Sequence, residues 1–314
     1  MTTALMDRVA TAPISWGICD MPEWGHQLPV EAVLAEMRAA GFRHTELGQL
    51  GYLPTRPGEL RAALDRHGLS LLGGFVPLVL HDPEHLSATL DEAAYAAAVI
   101  AGGGGRFFVT CVVSDQAVWR RDALNPSQWP VVAETLARVE KVAADFGLTQ
   151  AIHPHLGSLV ESGAETAQIL EASDVALVFD TAHLLLGGAD VLEAARLYLD
   201  RIALVHIKDL DLRCAAEVAG GRLSLMEGAQ RGLFPPLGRG GLPIAEVVSL
   251  LESTDRCLWY VLEQDAAIEE GDPGAVERLR RDARSNLEFL RDLASAPAGA
   301  RTPHNSNPER RDSP

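Results

Sequence analysis

The sequence predicts a single α/β domain that folds as a (β/α)8 (TIM) barrel, and two patterns support this prediction. Short apolar segments alternate with segments of helical periodicity, giving eight strand–helix units along the 314 residues. Several helical segments end at a glycine that an apolar run follows directly, as at Gly41, Gly68 and Gly147. A doubly wound open sheet is the structural alternative, but neither a GxGxxG motif nor a P-loop follows the first strand, so its nucleotide-binding form lacks support.

The predicted strands are short apolar segments bounded by glycine, proline or polar turn residues. We expect strands at Thr11–Trp16, Phe42–Leu47, Leu69–Leu80, Phe107–Val113, Thr149–His153, Val175–Phe179, Leu204–Ile207 and Cys257–Leu262. Between them, apolar residues recur at the spacing of one helix face. We expect helices at Pro29–Ala40, Glu59–His67, Pro83–Ala101, Pro126–Phe146, Gly163–Glu171, Ala189–Leu199, Pro243–Glu252 and Pro273–Leu293.

The domain organisation follows from these elements. The barrel is expected to occupy residues 1–295, with one long loop at 210–241, and loops of that length are usually functional. Residues 296–314 are rich in Pro, Ser, Asn and Arg and contain almost no apolar side chains. Because such a segment buries too little surface to offset the entropy of ordering, we expect a disordered C-terminal tail.

Composition and charge narrow the class of protein. The net charge of −16 repels polyanions, so a nucleic-acid partner is not expected. The four cysteines are widely spaced without a CxxC motif, which is typical of free thiols in a reducing compartment. No signal peptide is evident at the N-terminus, and the apolar helical stretch Ala93–Ala101 is too short to span a bilayer. We therefore expect a cytoplasmic protein without a membrane partner.

Ionisable side chains follow several of the predicted strands. They are Glu46, His153, His155, Asp180, His183, His206, Lys208, Glu263 and Asp265. Because the carboxyl ends of parallel strands meet at one face of a barrel, these side chains are expected to lie close together. Imidazole and carboxylate ligands suit Mn²⁺, Co²⁺, Zn²⁺ or Fe²⁺ better than Mg²⁺ or Ca²⁺. The pattern therefore predicts a site for a divalent metal.

Each of these residues also has a structural explanation when it is taken alone. His153 and His155 are compatible with loop histidines bonded to backbone, and Asp180 with a cap of the following helix. These explanations fail for the set, because four separate strands would have to end in metal-type ligands by chance. Trp16 either lines a pocket or lies at the rim of the barrel. The absence of GxSxG argues against a serine nucleophile elbow.

Three motifs resemble those of the xylose-isomerase-like TIM-barrel superfamily, which includes sugar phosphate isomerases and epimerases. Phe179-Asp180-Thr181-Ala182-His183 is similar to its Asp-x-x-His motif, and Val205-His206-Ile207-Lys208-Asp209 to its His-x-Lys-Asp motif. Leu262-Glu263-Gln264-Asp265 is similar to its last strand, which ends in glutamate. The resemblance extends over about residues 10–293, and it implies the same barrel.

Within the superfamily the chain most strongly resembles the inosose (2-keto-myo-inositol) dehydratases. The segments that carry this likeness are Ala12-Pro13-Ile14-Ser15-Trp16, Asp20-Met21-Pro22-Glu23, Thr45-Glu46-Leu47-Gly48, His153-Pro154-His155-Leu156-Gly157 and the glycine-rich run from Gly232 to Gly240. One departure concerns the segment after the first strand. Those enzymes often carry a polar Asn/Asp pair there, whereas this chain has Ile18-Cys19.

The resemblance implies a metal site and a lyase reaction. The metal ligands would be His153, Asp180, His206 and Glu263, with Mn²⁺ or Co²⁺ expected and Zn²⁺ or Fe²⁺ as alternatives. Many epimerases of the superfamily have glutamate where His153 stands, and they pass a proton between two metal-bound glutamates. The histidine therefore favours a dehydratase acting on a keto-cyclitol or keto-sugar, with a ketose isomerase or epimerase as the alternative.

The resemblance also implies catalytic and substrate-binding roles. The base would be Glu263 or Glu46, and the acid or substrate holder would be His155 or His183. Lys208 would stabilise the enolate or hold a hydroxyl group, and Trp16 would contact the substrate. Superfamily members are often dimers or tetramers, so a homo-oligomer is possible. Two other classes, an endonuclease acting at abasic sites and a non-catalytic carbohydrate-binding protein, are disfavoured by the charge and by the intact ligand set.

Overall fold

A closed parallel barrel of eight strands is the central feature of the computed structural model, which describes residues 4–19, 21, 24–115, 121 and 123–295. The strands are β1 Val9–Thr11, β2 His44–Glu46, β3 Ser70–Leu78, β4 Phe107–Val112, β5 Thr149–Ile152, β6 Ala176–Asp180, β7 Ile202–Ile207 and β8 Trp259–Leu262. Neighbours pair in sequence order, and β8 pairs with β1 to close the barrel. The predicted (β/α)8 barrel is confirmed.

Helices surround the barrel and connect its strands. They are α1 Val30–Ala40, α2 Pro57–Arg66, α3 Leu86–Gly103, α4 Gln128–Asp145, α5 Gly163–Ala172, α6 Thr181–Leu186, α7 Val191–Leu197, α8 Leu212–Ala219, α9 Leu225–Gln230, α10 Ile244–Glu252 and α11 Ala275–Ser295. None of these described helices is both long enough and apolar enough to cross a lipid bilayer.

The core has two layers because successive strand residues face opposite sides of the sheet. Small and branched side chains such as Ala151, Val178 and Leu204 fill the interior of the barrel. Larger side chains such as Phe179 and Leu262 point outward, where the helices cover them. The narrow interior thereby becomes a packed floor below the carboxyl ends of the strands.

The first strand is shorter than predicted and lies earlier in the chain. The expected strand Thr11–Trp16 is wrong beyond Thr11, because Pro13–Trp16 forms a 3₁₀ turn instead. Pro13 occupies the first position of that turn, where its fixed φ angle is favourable. Gly17 ends the turn with a φ of 79°, a left-handed conformation that favours glycine.

Two connections after the sixth and seventh strands contain helices that the periodicity missed. The segment treated as one long loop at 210–241 forms α8 and α9, whose N-termini are capped by Asp211 and Ser224. Likewise, α6 precedes the predicted helix Ala189–Leu199, which shortens to α7. The predicted tail 296–314 lies outside the described residues, as do Asp20, Pro22 and Glu23 of the second motif.

Candidate active site

The carboxyl ends of five strands converge on one group of ionisable side chains. Glu46 ends β2, His153 follows β5, Asp180 ends β6, His206 lies in β7 and Glu263 follows β8. All five side chains are buried, with exposed fractions of 8% or less. A site built this way has fixed geometry, because each side chain is attached to a paired strand of the barrel.

Asp180 uses its two carboxylate oxygens for different purposes. Oδ1 caps α6 by accepting hydrogen bonds from the backbone N–H groups of Ala182 and His183, at 2.8 and 2.9 Å. Oδ2 faces the site, 2.6 Å from Nζ of Lys208 and 3.3 Å from Nε2 of His153. One oxygen of Asp180 therefore caps the helix, and the other lies among the ionisable groups of the site.

His206 lies among three carboxylates. Its Nδ1 is 3.0 Å from Oε2 of Glu263 and 3.9 Å from Oδ2 of Asp180, while its Nε2 is 3.4 Å from Oε2 of Glu46. Burial lowers the pKa of this imidazole, but the carboxylates of Glu263 and Glu46 outweigh burial and raise the pKa to about 10. In the metal-free protein, His206 is therefore a cation at neutral pH.

Lys208 is a second buried cation in this group. Its Nζ is 2.6 Å from Asp180 and 2.7 Å from Glu263, and Asp265 lies 3.8 Å away. Burial lowers the pKa of the lysine, but the carboxylates of Asp180, Asp265 and Glu263 outweigh burial and raise the pKa well above its usual value. Thr181 positions it, because its hydroxyl donates to the Lys208 carbonyl at 2.6 Å and accepts from the Lys208 N–H at 2.9 Å.

The other three histidines of the site are neutral. Burial lowers the pKa of His153 to about 4, even though Asp180 opposes this shift. Burial, with the neighbouring His153, lowers the pKa of His155 to about 3, and the pKa of His183 also falls well below its usual value. A neutral imidazole retains a lone pair, and this is the form that binds a metal.

His155 and His183 form a stacked pair. Their ring centroids are 3.8 Å apart with an interplanar angle of 36°. Nδ1 of His155 lies 2.8 Å from the Leu156 carbonyl, while Nδ1 of His183 accepts from the Leu156 N–H at 3.3 Å. These contacts place the proton of neutral His155 on Nδ1 and that of neutral His183 on Nε2.

A cavity of about 700 Å³, counting its open mouth, lies at this end of the barrel. The residues Glu46, His153, His155, His206, Lys208, Glu263 and Asp265 line it. Two residues predicted to bind substrate, His183 and Trp16, do not line the cavity. His183 is fully buried and reaches the site through its stack with His155. Trp16, for which a substrate contact is predicted, is also fully buried, because the Pro13–Trp16 turn directs its indole into the outer core against Phe42.

Two cavity residues had no predicted role. Asp265 was part of the strand-end set, and it has a pKa raised to about 7 by burial and by the adjacent Glu263 charge, despite the opposing Lys208. Gln49 follows β2 and lines the cavity, and its Oε1 has no hydrogen-bond partner among the described residues. The sequence places Asp265 after a predicted strand but gives it no role, and no sequence signal marks Gln49.

The donor set fits a divalent metal ion. Ligand atoms of His153, Asp180 and His183 lie within 4.8 Å of one another, and so do those of Glu46, His206 and Glu263. Of the predicted ligands, His153 and Asp180 belong to the first group, and His206 and Glu263 belong to the second. Within the described part of the chain, Oε1 of Glu46, Nδ1 of His153 and both ring nitrogens of His206 lack a partner with hydrogen-bond geometry. Buried polar atoms rarely lack a partner, and a bound metal would provide one for several of these atoms.

Comparison with known proteins identifies the family. The profile of the xylose isomerase-like TIM barrel matches residues 34–293. The chain belongs to this family. Among curated relatives, the inosose dehydratase of Geobacillus kaustophilus strain HTA426 is 30% identical over 275 residues, which covers 83% of this chain and 89% of the relative.

Solved structures share the fold at lower sequence identity. An L-ribulose 3-epimerase matches with a TM-score of 0.66 and 19% identity, covering 91% of this chain and 94% of its own. An IOLI protein with a bound zinc atom matches with a TM-score of 0.62 and 15% identity, covering 92% and 98%. Dehydratases and epimerases thus both occur among the proteins that this chain resembles.

Proposed function

We propose that this chain is a divalent-metal-dependent lyase that removes water from a keto-cyclitol of the inosose class. The observation that carries the proposal is a pair of carboxyl groups in one cavity. Glu46 and Asp265 line it, and neither Oε1 of Glu46 nor Oδ1 of Asp265 has a hydrogen-bond partner among the described residues. An elimination needs one group that takes a proton and another that gives one. The inosose dehydratase relative supports the substrate class.

The metal would be held by His153, Asp180, His206 and Glu263, with Mn²⁺ or Co²⁺ as the preferred ions. When bound, it would polarise the substrate ketone and make the adjacent C–H group more acidic. The zinc-bound structure with the same fold supports a divalent ion, although the ligand chemistry here also accommodates other metals of this group.

Glu46 is the proposed base, because Glu263 is already engaged. Oε2 of Glu263 lies 2.7 Å from Lys208 and 3.0 Å from His206, whereas Oε1 of Glu46 has no hydrogen-bond partner in the described chain. Glu46 takes the proton from the carbon next to the ketone. The electron pair of that C–H bond forms the C=C bond as the C–O bond to the β-hydroxyl breaks.

Asp265 is the proposed acid. In the metal-free protein, burial and the adjacent Glu263 charge raise its pKa to about 7, which favours the protonated carboxyl group. That proton passes to the departing hydroxyl so that it leaves as water. His155 is less suited to this role than the sequence suggested, because its only ring proton lies on Nδ1 against the Leu156 carbonyl. Lys208 holds Asp180 and Glu263 in place and offers its positive charge to the substrate oxygen.

An epimerase is the second candidate, and one observation favours it. Glu46 and Glu263 both line the cavity and lie on the two nitrogens of His206, at 3.4 and 3.0 Å. Two carboxylates placed on either side of a substrate carbon are what proton exchange at that carbon requires. The fold shared with L-ribulose 3-epimerase is consistent with this alternative.

Product mass distinguishes the two candidates. The protein is loaded with Mn²⁺ or Co²⁺ and incubated with scyllo-inosose, and near-ultraviolet absorbance and product mass are followed. The lyase releases one water and forms an absorbing enone, and the reaction is lost on chelation and in His206→Ala. Conserved mass, with solvent deuterium entering next to the carbonyl of a ketose offered in the same way, would establish the epimerase instead.

A further inference from the structure

The segment after β8 carries two ionisable side chains of the active site on alternate residues. Glu263 and Asp265 line the active-site cavity, whereas Gln264 between them lines a separate cavity of about 240 Å³ on the side of α11. This is the alternation of a strand, although the pairing of β1 with β8 ends at Thr11 and Leu262. The direction of both carboxyl groups therefore depends on what holds this segment beyond the end of the sheet.

The turn after β1 provides hydrogen bonds to this segment where the sheet pairing has ended. The N–H of Gln264 donates to Oγ of Ser15 at 3.0 Å, and the N–H of Ala266 donates to the Ile14 carbonyl at 3.2 Å. Because Pro13–Trp16 is a 3₁₀ turn, its backbone does not continue the first strand. The hydroxyl of Ser15 thus supplies the acceptor for Gln264 in place of a strand carbonyl.

The side chain of Gln264 is held by the last helix. Its Oε1 accepts from Nδ2 of Asn286 in α11 at 3.0 Å, and Oδ1 of Asn286 accepts from the Leu237 N–H at 2.7 Å. Ser15 and Asn286 are both buried, with exposed fractions of 6% and 4%. Hydrogen bonds between buried groups favour one arrangement, because leaving a buried donor or acceptor without a partner is costly. Gln264 is therefore fixed both at its backbone and at its side chain.

We propose that Ser15 and Asn286 are positioning residues that act through Gln264 and orient the carboxyl group of Asp265 toward the departing hydroxyl of the substrate. The inference rests on the proposed function, in which Asp265 gives a proton to that hydroxyl. Neither Ser15 nor Asn286 is among the described residues that line the active-site cavity, so their effect is indirect. A small displacement of the proton donor slows the reaction, because the donor must lie within hydrogen-bond reach of the leaving oxygen.

A leaving group that needs no proton separates positioning of the acid from general damage to the enzyme. The Mn²⁺-loaded protein is given scyllo-inosose or the same ketone with fluorine in place of the departing β-hydroxyl. In both, the base takes the proton next to the ketone, and the electron pair of that C–H bond forms the C=C bond. The hydroxyl leaves as water with the proton from Asp265, whereas fluorine leaves as fluoride with the electron pair of the C–F bond. Both ketones give the same enone, so one absorbance measurement compares them.

Ser15→Ala is expected to lower kcat for scyllo-inosose about tenfold and kcat for the fluoro ketone less than about twofold. Ser15→Thr should restore the ratio of the two kcat values, because it keeps the hydroxyl and the adjoining cavity of about 240 Å³ has room for a methyl group. Gln264→Met keeps the backbone bond to Ser15 and removes only the bond to Asn286. It should change the ratio in the same direction, and it alters a half-buried position.

Thr89→Val is the matched control for the loss of a buried hydroxyl. The Thr89 hydroxyl donates to the Val79 carbonyl at 2.7 Å, and Thr89 lies in α3, outside the described lining of the active-site cavity. Any loss of activity in this variant should be equal for the two ketones, because it would come from stability and not from the position of Asp265.

The outcomes distinguish the inference from the proposed function. If the wild type loses water and the ratio is unchanged in folded Ser15→Ala and Gln264→Met, the positioning role is overturned and the lyase stands. Loss of fluoride without loss of water by the wild type would contradict Asp265 as the acid, and the inference with it. No reaction of either ketone would overturn both the proposed function and the inference.

Discussion

Lys208 illustrates how the charges of the site depend on one another. A buried ammonium group is costly unless carboxylates surround it, and here Asp180 and Glu263 lie within 2.7 Å while Asp265 is 3.8 Å away. Three carboxyl groups, those of Asp180, Glu263 and Asp265, lie near this lysine. Glu46 lies beside His206, which would have to give up its proton to bind a metal. A divalent cation would neutralise much of the remaining negative charge, which is a physical reason for a metal at this place.

Asp265 is expected to be essential for turnover. Asp265→Asn should lower kcat about 10²- to 10⁴-fold, because the amide cannot give a proton to the departing hydroxyl. In the wild type, an acid that must be protonated makes kcat fall as pH rises through the pKa of that acid, and this alkaline limb should be absent from the residual activity of the variant. Asp272→Asn is the matched control, because this half-buried carboxylate pairs with Arg278 outside the cavity, and a similar loss there would contradict the assignment.

His206 should make metal binding depend on pH. Its pKa of about 10 means that the metal-free protein carries a proton there at neutral pH, and a metal must displace it. Affinity for Mn²⁺ or Co²⁺ should therefore increase with pH, by up to about tenfold per unit below pH 10. Calorimetry in buffers of different ionisation enthalpy measures the released proton. Binding that is independent of pH between 6 and 9 would exclude His206 as a ligand.

At the scale of elements, Asp209 joins the loop before α10 to the end of β7. Its Oδ2 accepts from the N–H groups of Gly238 and Gly240, both at 2.9 Å, and its Oδ1 from those of Leu210 and Leu242, at 2.9 and 3.0 Å. Asp209 directly follows Lys208 in the chain. The carboxylate thus fixes the connection that carries α8 and α9, and α9 carries Leu225, which lines the cavity.

Gly240 should be intolerant of a side chain. A Cβ atom there would lie 2.2 Å from Oδ1 of Asp209, so that the carboxylate or the loop must move. Gly240→Ala is expected to lower the free energy of unfolding by about 1–3 kcal/mol, measured by urea denaturation. Gly58→Ala is the control, because a Cβ there meets nothing within 4 Å and helix propensity favours alanine. Equal stability of the two variants would show that Asp209 does not hold this loop.

At the scale of the whole molecule, the closed barrel is what converts distant residues into neighbours. Glu46 and Glu263 are more than 200 positions apart in sequence, yet both approach His206 because β8 pairs with β1 and β1 with β2. A metal held by several strands of this barrel would bind the folded state and not the unfolded chain. Metal and fold are therefore expected to stabilise each other.

Metal should raise the thermal stability of the protein. At a free concentration of 100 times Kd the added stability is about 2.7 kcal/mol, which raises Tm by several degrees for a chain of this size. Thermal unfolding with and without Mn²⁺ or Co²⁺ measures the shift. His153→Ala should reduce it, whereas His85→Ala, at an exposed surface pair with Asp82, should leave it intact. A shift that persists in His153→Ala would remove that residue from the ligand set.

Several site residues could be predicted from the sequence because the ends of strands can be recognised in it. An apolar run followed by a polar residue, as at Asp180 and Glu263, identifies a side chain at the mouth of the barrel without any knowledge of its neighbours. Roles that depend on orientation could not be predicted in this way. The sequence predicts Trp16 in a pocket or at the rim of the barrel, but the turn after β1 places its indole in the outer core. The sequence gives Asp265 no role, because its raised pKa results from burial near Glu263.

The alternation of apolar and helical segments by itself determined the barrel, and the strand-end motifs determined which residues meet at its mouth. Both are local patterns, since they depend on periods of two and 3.6 residues and on the residue at which a run ends. Only the tertiary structure decided which oxygen of Asp180 faces Lys208, which histidines are neutral, and which apolar side chains line the cavity beside its ionisable groups. The physical reason is that charge state and desolvation are set by neighbours distant in sequence, and barrel closure alone brings them together.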